Sequence, residues 1–293
     1  DLKKGRQTCN CCHPSLAFSG TQLQLKKKSK YTQQDNNQQI VIHTKWHRKN
    51  IGIMTSKHYQ SWKKWNNNNF LAISNHDNAY YAHIFKRLGI TKKMSILEIG
   101  YGNGLFLKYA SNNGHDIEGM EVIEELLYTA KKHGYTIYKD INEIKKTSKY
   151  DLIIMFDVLE HIQQDRIPNF LENIGRHLND SGRILVRTPN GASPLGLANQ
   201  HGDITHLTVV TEAKINYWCG IINLNLHSSW GDKHPFIFSH NLKKAPSRIL
   251  KLITHKMIER LIRFISPQSN GILSSNSIFI FNKKLKGIYH EQQ

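Results

Sequence analysis

Short apolar runs alternate with helix-length stretches between residues 94 and 187, and this alternation limits the fold of the 293-residue chain more than any other feature. The short runs are rich in β-branched and aromatic residues, as strands are, and they cover residues 94–99, 116–122, 135–138, 152–156 and 183–187. Stretches with helical periodicity lie between them at residues 105–112, 123–133 and 168–178. Because two parallel strands need a connection of helix length, the pattern predicts βαβ units and a doubly wound α/β fold.

The segments on either side of this alternation extend the same fold. Aromatic and apolar residues recur at helical spacing over residues 59–88, which predicts one or two helices packed on the sheet. After the turn residues 189–191 we expect a loop to about Thr211, followed by a helix that ends near Gly220. Two further strand candidates follow, at residues 221–229 and 277–281.

The composition favours one large domain with appendages. The chain is 39% hydrophobic and contains no apolar run near the roughly 18 residues that a membrane span needs, so we expect a cytoplasmic protein. Three of its four cysteines crowd together near the N-terminus, which is unlike a disulfide framework and predicts reduced thiols. We predict four parts: a basic polar extension over 1–50, a core over 51–240, a basic helical insertion over 241–270, and the last core strand with a tail over 271–293.

The positive charge is concentrated at the two ends of the chain. The net charge is +18, yet residues 67–240 hold 17 basic against 18 acidic side chains. A neutral core with basic flanks indicates that the flanks face an anionic partner, either lipid headgroups at the inner face of a membrane or nucleic acid. The alternative is that the charge only keeps the protein soluble.

A glycine-rich turn follows the first predicted strand. Gly100, Gly102 and Gly104 occupy alternate positions between that strand and a helix, where a backbone free of side chains can approach a ligand. Glu121 ends the second strand 21 residues after Gly100, which is where a carboxylate can accept hydrogen bonds from both hydroxyls of a ribose. Acidic residues also follow the third and fourth strands, at Asp140 and Asp157.

The order of these residues resembles the pattern of the class I S-adenosylmethionine-dependent methyltransferases. The resemblance also includes Glu98, before the glycines, and the run of residues 156–161 at the end of the fourth strand. The likeness is greatest to the ubiquinone-biosynthesis-like branch, which methylates small molecules and sugars. It implies a mostly parallel, seven-stranded, Rossmann-like sheet whose last strand is reversed. It also implies S-adenosylmethionine as cofactor, bound by Glu98, Gly100, Tyr101, Gly102, Gly104, Glu121, Val122, Asp140, Ile141 and Asp157.

Methyl transfer to an oxygen needs aligned reactants and removal of the acceptor's proton. The resemblance makes His161 and His206 the candidate catalytic bases. His161 also closes an Asp-x-x-Glu-His pattern close to a Glu-x-x-Glu-His metal motif of some ubiquinone-pathway and small-RNA 2′-O-methyltransferases. The same region is therefore predicted either to hold a divalent metal through Asp157, Glu160, His161 and His206, or to work without a metal.

The resemblance also points to the acceptor. We expect an oxygen acceptor, a sugar hydroxyl in surface polysaccharide or glycolipid biosynthesis. Alternatives are the 2′-hydroxyl of RNA, a quinone-type or phenol-type small molecule, and a binding protein that has kept the fold without catalysis. Methylation of nucleic-acid bases is disfavoured, because the fourth strand lacks the Asn/Asp-Pro-Pro-Tyr/Phe element of amino-methyltransferases and no cysteine nucleophile follows it.

Two features fall outside the family pattern. Residues 247–266 place apolar side chains on one helical face and basic ones largely off it. This predicts a helix that lies on an anionic membrane, covers the acceptor site, or packs on the protein's own sheet or on a second subunit. Cys9 and Cys12 with His43 and His47 copy the half-sites of a zinc finger, although 30 residues separate them. The alternative for these four residues is an irregular cysteine-rich end.

Overall fold

The computed structural model describes residues 56–66, 68–232, 245–265 and 273–284. The chain divides into one unit at residues 1–55 and a second at residues 56–293, and the described residues all belong to the second unit. The predicted extension over 1–50 and the paired half-sites at Cys9, Cys12, His43 and His47 therefore lie outside the described residues. The structure leaves these expectations untested.

Seven strands form one sheet in the order β3-β2-β1-β4-β5-β7-β6. Strands β1 to β5 run parallel to one another, whereas β7 is antiparallel to both β5 and β6. The predicted fold class, a mostly parallel doubly wound sheet with a reversed last strand, is confirmed. The strands are β1 (Ser95–Ile99), β2 (Asp116–Met120), β3 (Thr136–Tyr138), β4 (Tyr150–Phe156), β5 (Leu178–Pro189), β6 (Leu224–Asp232) and β7 (Asn276–Lys283).

The helices connect the strands as the alternation predicts. The expected helical region before the sheet consists of two helices, and the second has a capping box between Ser74 and Asp77 and ends at Gly89 in the left-handed conformation. The described α-helices are α1 (Ser56–Trp62), α2 (Asn75–Leu88), α3 (Leu105–Asn112), α4 (Glu124–Lys132), α5 (Ile167–Gly175), α6 (Leu197–Gly202), α7 (Glu212–Ile221) and α8 (Ala245–Ile265).

The sheet is buried on both faces because successive side chains of a strand point in opposite directions. In β4, Leu152 and Ile154 pack in one apolar cluster with residues of α2, α3 and α4. Ile153 and Met155, which alternate with them, pack in a second cluster with residues of α5 and α7. A strand with two buried faces has no polar alternation, which explains why β4 is apolar from residue 152 to residue 156.

Two expectations about local structure were wrong. The predicted loop up to Thr211 contains a 3₁₀ turn at Pro194–Gly196 and the short helix α6, which is too short and polar to show a periodic pattern. The helix expected over residues 168–178 ends at Gly175, because Leu178 pairs with Tyr150 and begins β5. Within the described part of the chain, no helix combines the length and the apolar character needed to cross a membrane.

Candidate active site

The glycine loop connects β1 to α3, and its backbone excludes larger side chains. Gly100, Gly102 and Gly104 all have positive φ angles, 70°, 51° and 73°. A Cβ atom on Gly102 would lie 2.8 Å from the ring of Trp65, so both the conformation and the space at this position require glycine. The segment after α1 therefore lies directly against the loop.

Glu121 is fixed beside this loop at the end of β2. Its Oε2 atom accepts a hydrogen bond from the backbone N–H of Gly102 at 3.1 Å, and its Oε1 atom accepts one from Val122 at 2.7 Å. Burial raises the pKa of this carboxyl, while these N–H donors lower it. Oε1 also accepts from the backbone N–H of Ile123 at 3.2 Å, so the carboxylate is held in one orientation next to the glycines and Oε2 is the oxygen that keeps a lone pair for a further donor.

Three polar atoms near the loop are buried with no hydrogen-bond partner among the described residues: Oε2 of Glu98, the hydroxyl of Tyr101 and Oδ1 of Asn103. Burial, the largest cause, raises the pKa of Glu98 well above the ordinary value for a glutamate. Buried polar atoms of this kind are costly unless a ligand or a water satisfies them. Together with the open backbone of the glycine loop, these atoms can form hydrogen bonds with a polar cofactor. The predicted cofactor, S-adenosylmethionine, is polar and fits such a site.

The other predicted cofactor residues lie at the same carboxyl edge of the sheet, after β2, β3 and β4. Val122 is 58% exposed, and Ile141 is half-buried. Asp140 caps the 3₁₀ turn at residues 141–143, because its Oδ1 atom accepts a hydrogen bond from the backbone N–H of Asn142 at 2.8 Å. Their cofactor roles stay predictions.

Asp157 follows β4 in a strained conformation, with φ at 57°. Its carboxylate forms a two-point ion pair with Arg187 of β5, including a hydrogen bond from Nε at 3.1 Å. Arg187 also donates from Nη1 to the hydroxyl of Tyr80 at 3.0 Å, and that hydroxyl donates to Asp232 at 2.8 Å. The structure therefore gives the Asp157 carboxylate a basic partner of its own.

The three other residues of the predicted metal set come together. Glu160, His161 and His206 each offer one ligand atom, and these atoms lie within 4.8 Å of one another. Both carboxylate oxygens of Glu160 are buried without a hydrogen-bond partner among the described residues. Burial, followed by the nearby charge of Asp157, raises the pKa of Glu160 to about 8. A buried free carboxylate facing two imidazoles can hold either a proton or a cation.

Hydrogen bonds set the tautomers of both histidines. Nδ1 of His161 lies 3.0 Å from Oγ1 of Thr205, and that hydroxyl donates its own proton to Oδ1 of Asp203 at 2.5 Å. The hydroxyl must therefore accept from His161, so the proton of a neutral His161 is on Nδ1. His206 likewise donates from Nδ1 to the carbonyl oxygen of Gln200 at 2.9 Å. In both neutral rings the Nε2 atom keeps its lone pair, free to accept a proton or bind a metal.

Aromatic residues of the first helical segment connect the histidines to the glycine loop. The ring of Tyr59 lies 6.3 Å from that of His161 and 5.7 Å from that of Trp65, which contacts Gly102. Lys63 forms an ion pair with Asp203 at 3.1 Å. Burial, the largest cause, and the negative charges of Asp203, Glu121, Glu160 and Asp157 raise the pKa of Tyr59. The loop and the histidine pair therefore belong to one site, with α1 beside both.

The sequence interpretation missed several residues of this site, including Tyr59, Lys63, Trp65, Arg187 and Gln200. Arg187 gave a readable signal, since a charged residue directly after the apolar run of residues 184–186 in a buried strand needs a partner. Asp203 and Thr205 come three residues and one residue before the predicted base His206, and the sequence interpretation gave neither a role. Tyr59 and Trp65 gave no signal beyond helical spacing, because packing over a distant loop leaves no local pattern.

Three comparisons with known proteins bear on this site. The model of a family described as "Methyltransferase domain" matches residues 74–229. Ubiquinone biosynthesis O-methyltransferases of Rickettsia canadensis and Rickettsia felis are 26% and 24% identical over 174 residues, which is 57% of this chain. The match covers 63% and 61% of those relatives, less than two thirds of either. A solved SAM-dependent methyltransferase from Archaeoglobus fulgidus is 17% identical with a TM-score of 0.48, over 71% of this chain and 94% of that one.

Proposed function

We propose, on the premise that this chain belongs to the methyltransferase-domain family, that it transfers the methyl group of S-adenosylmethionine to a hydroxyl oxygen. The membership confirms the family predicted from the glycine loop and the acids that follow it. The observation that carries the proposal is the link through Tyr59 and Trp65 between the loop at Gly102 and the ring of His161. A cofactor on the loop and an acceptor at the histidine would lie side by side.

The cofactor role rests on residues around the glycine loop. Glu121 accepts from a ribose hydroxyl with the Oε2 lone pair that its three backbone donors leave free. Glu98 and Tyr101 supply the buried polar atoms that lack a partner, and these bind the polar methionine part. Asp140 contacts the adenine side, at the end of β3. In each assignment, a hydrogen-bond donor of the cofactor meets an acceptor of the protein, or an acceptor of the cofactor meets a donor of the protein.

The histidine pair removes the proton of the acceptor. In the reaction the S–CH₃ bond of the sulfonium breaks, a C–O bond forms, and the hydroxyl proton passes to an imidazole Nε2 atom. Burial, the largest cause, and the neighbouring His206 lower the pKa of His161, so its ring is neutral and able to accept a proton at neutral pH. Thr205 and Gln200 hold the two rings with Nε2 free.

A second candidate role for the same pair is to bind a divalent metal with Glu160. The observation that favours it is the set of three ligand atoms within 4.8 Å, each histidine fixed through its other nitrogen in the way that metal-binding histidines are. A bound divalent ion would supply a Lewis acid that lowers the pKa of an acceptor hydroxyl. Glu160 would then be ionised, and His161 and His206 would act as ligands.

For the acceptor we propose a sugar hydroxyl, in a surface polysaccharide or a glycolipid. The relatives named above are O-methyltransferases, which supports an oxygen acceptor. Tyr59 lies beside His161, and Trp62, 46% exposed, lies next to Tyr59. Aromatic faces of this kind pack against the flat apolar face of a sugar ring. A phenol-type hydroxyl of a quinone precursor is the competing acceptor, because the relatives carry the name of ubiquinone biosynthesis.

Transfer of a labelled methyl group tests both the reaction and the acceptor. The protein is incubated with S-adenosylmethionine carrying a labelled methyl group and with extracted glycans, glycolipids, phenol-type quinone precursors or RNA in separate reactions. We expect label in the carbohydrate fractions, as a methyl ether on a sugar. Label in the phenols or RNA alone would overturn the sugar acceptor, and absence of label with cofactor bound would overturn catalysis.

Metal binding has its own measurement. Purified protein, stripped with chelator, is dialysed against Mn²⁺ and the bound ion is counted by electron paramagnetic resonance. The metal role predicts about one ion per chain, lost in Glu160→Gln and retained in Glu172→Gln, an acid on the exposed side of α5. Absence of bound Mn²⁺, with turnover unaffected by chelator, would leave the histidines as bases only.

A further inference from the structure

The helix α8, Ala245–Ile265, exposes an apolar face that the methyltransferase site does not use. Phe264 and Ile265 are 85% and 72% exposed, which is unusual for large apolar side chains in a soluble protein. The exposed apolar residues of this helix are Ile249, Leu250, Ile253, Met257, Ile258, Leu261, Phe264 and Ile265. Eight such side chains on one helix form a continuous surface that needs a partner.

Helical geometry separates three sides of α8. At about 100° per residue, the exposed apolar side chains span about half of the circumference. The exposed side chains of Lys256, Arg260 and Arg263 lie along one border of that arc. Glu259 lies opposite the centre of the arc, and its carboxylate accepts a hydrogen bond from the backbone N–H of Leu273, at the start of the segment that leads into β7. The helix is therefore tied to the core by one side and presents the apolar face away from that side.

We propose that this face docks on an anionic lipid bilayer, with α8 in the plane of the headgroups. Apolar side chains buried at the headgroup boundary with basic residues along the border are the arrangement of interfacial helices. The helix has 21 residues, about 31 Å of length, yet it is not apolar enough to span a membrane. The proposal goes beyond the proposed methyl transfer and needs no cofactor.

The charges favour lipid over the other occupants of such a face. No acidic residue lies within the apolar arc, and the hydroxyl of Thr254, a polar residue in it, bonds back to the carbonyl oxygen of Leu250 at 2.9 Å. A symmetric antiparallel pair of α8 helices would bring two basic borders close together and repel. Nucleic acid would pair with Lys256, Arg260 and Arg263 but leave the eight apolar side chains in water. An anionic bilayer buries the apolar side chains and also pairs with the basic side chains at the border.

Co-sedimentation with vesicles measures lipid binding and so tests the proposal directly. The full chain, without cofactor, is mixed with phosphatidylcholine vesicles or with vesicles that also contain phosphatidylglycerol. We expect strong binding to the second kind only, weakened by salt. Arg260→Glu with Arg263→Glu should lower the partition coefficient at least thirtyfold, on the order expected for two lost lipid contacts. The matched control, Lys92→Glu with Lys93→Glu, changes the net charge equally on an exposed loop and should have a much smaller effect.

A second pair of variants tests the apolar face. Phe264→Ser with Ile265→Ser should reduce binding to anionic vesicles at least tenfold, whereas Tyr128→Ser with Tyr217→Ser, at exposed positions on α4 and α7, should leave it unchanged. Circular dichroism confirms that each variant is folded, as exposed positions should allow. Equal binding to both vesicle kinds, binding insensitive to both α8 variants, or dimerisation that Phe264→Ser with Ile265→Ser abolishes would overturn the proposal.

Discussion

The rings of His161 and His206 lie edge to face, with centroids 4.7 Å apart. Each ring is held through its Nδ1 atom, by the hydroxyl of Thr205 in one case and by the carbonyl oxygen of Gln200 in the other. The two Nε2 atoms are therefore available in the same small volume, beside Glu160. Whether they take a proton or a metal ion, their orientation depends on Thr205 and Gln200, which contact the Nδ1 atoms of the rings.

Thr205→Val tests this positioning. The valine keeps the volume of threonine and the backbone carbonyl oxygen 3.3 Å from Nδ1 of His161, but it loses the nearer hydroxyl, 3.0 Å away. We therefore expect kcat to fall about tenfold while KM for the cofactor stays near its original value. Thr205→Ser should restore most of the loss. Steady-state kinetics give the comparison, and Thr129→Val, which removes an exposed hydroxyl on α4, is the control. A Thr205→Val enzyme with full kcat would show that the hydroxyl does not position the ring.

Glu121→Gln tests the cofactor assignment. The amide cannot accept from all of the backbone N–H groups and ribose hydroxyls that the carboxylate serves, so affinity for S-adenosylhomocysteine should fall by about 1.5 to 3 kcal/mol, roughly 10- to 150-fold. Calorimetric titration measures it. Glu125→Gln, an exposed neighbour on α4, should bind as tightly as the original protein. Equal affinity in the two variants would remove Glu121 from the site.

Gly102→Ala separates backbone strain from steric conflict. Both Gly102 and Gly114 have positive φ angles, 51° and 78°, so an alanine at either position should cost about 1 kcal/mol of stability. Only at Gly102 does the new Cβ meet Trp65, at 2.8 Å, whereas nothing lies within 4 Å at Gly114. We expect only Gly102→Ala to lose cofactor affinity, by calorimetry. Equal affinity in Gly102→Ala and Gly114→Ala would mean that the loop adapts without affecting the ligand.

Arg187→Met tests the ion pair between β4 and β5. Its removal leaves the carboxylate of Asp157 without its ion-pair partner and removes the guanidinium that lies 4.0 Å from Asp232, and it should lower the free energy of unfolding by about 3 kcal/mol. We place the loss at the low end for such a change because Asp157 is half-buried. Urea denaturation measures the loss, with Arg183→Met on the same strand as control. Similar losses in the two variants would contradict a stabilising role for the pair.

The order of elements was readable from the sequence because each one depends on local spacing. The β-rich runs and helical stretches between residues 94 and 187 predicted the parallel part of the sheet, and α3 has the predicted bounds. Strand and helix periods are set by the backbone itself, so a few residues suffice to indicate them. Where the signal failed, at α6 and at the start of β5, the cause was a short helix without a period and a pairing partner distant in sequence, Tyr150.

Some residues of the site were likewise readable from the sequence, and others were visible only in the tertiary structure. The sequence by itself determined the glycine loop, Glu121 and the Glu160–His161 pair, since each follows a strand whose end must lie at the carboxyl edge of the sheet. Only the tertiary structure decided that Asp157 pairs with Arg187 and that Thr205 and Gln200 orient the two histidines. It also decided that Tyr59 and Trp65 lie between the glycine loop and His161. Side-chain partners are chosen by packing and by hydrogen bonds between residues far apart in the chain, and no local pattern of the sequence records that choice.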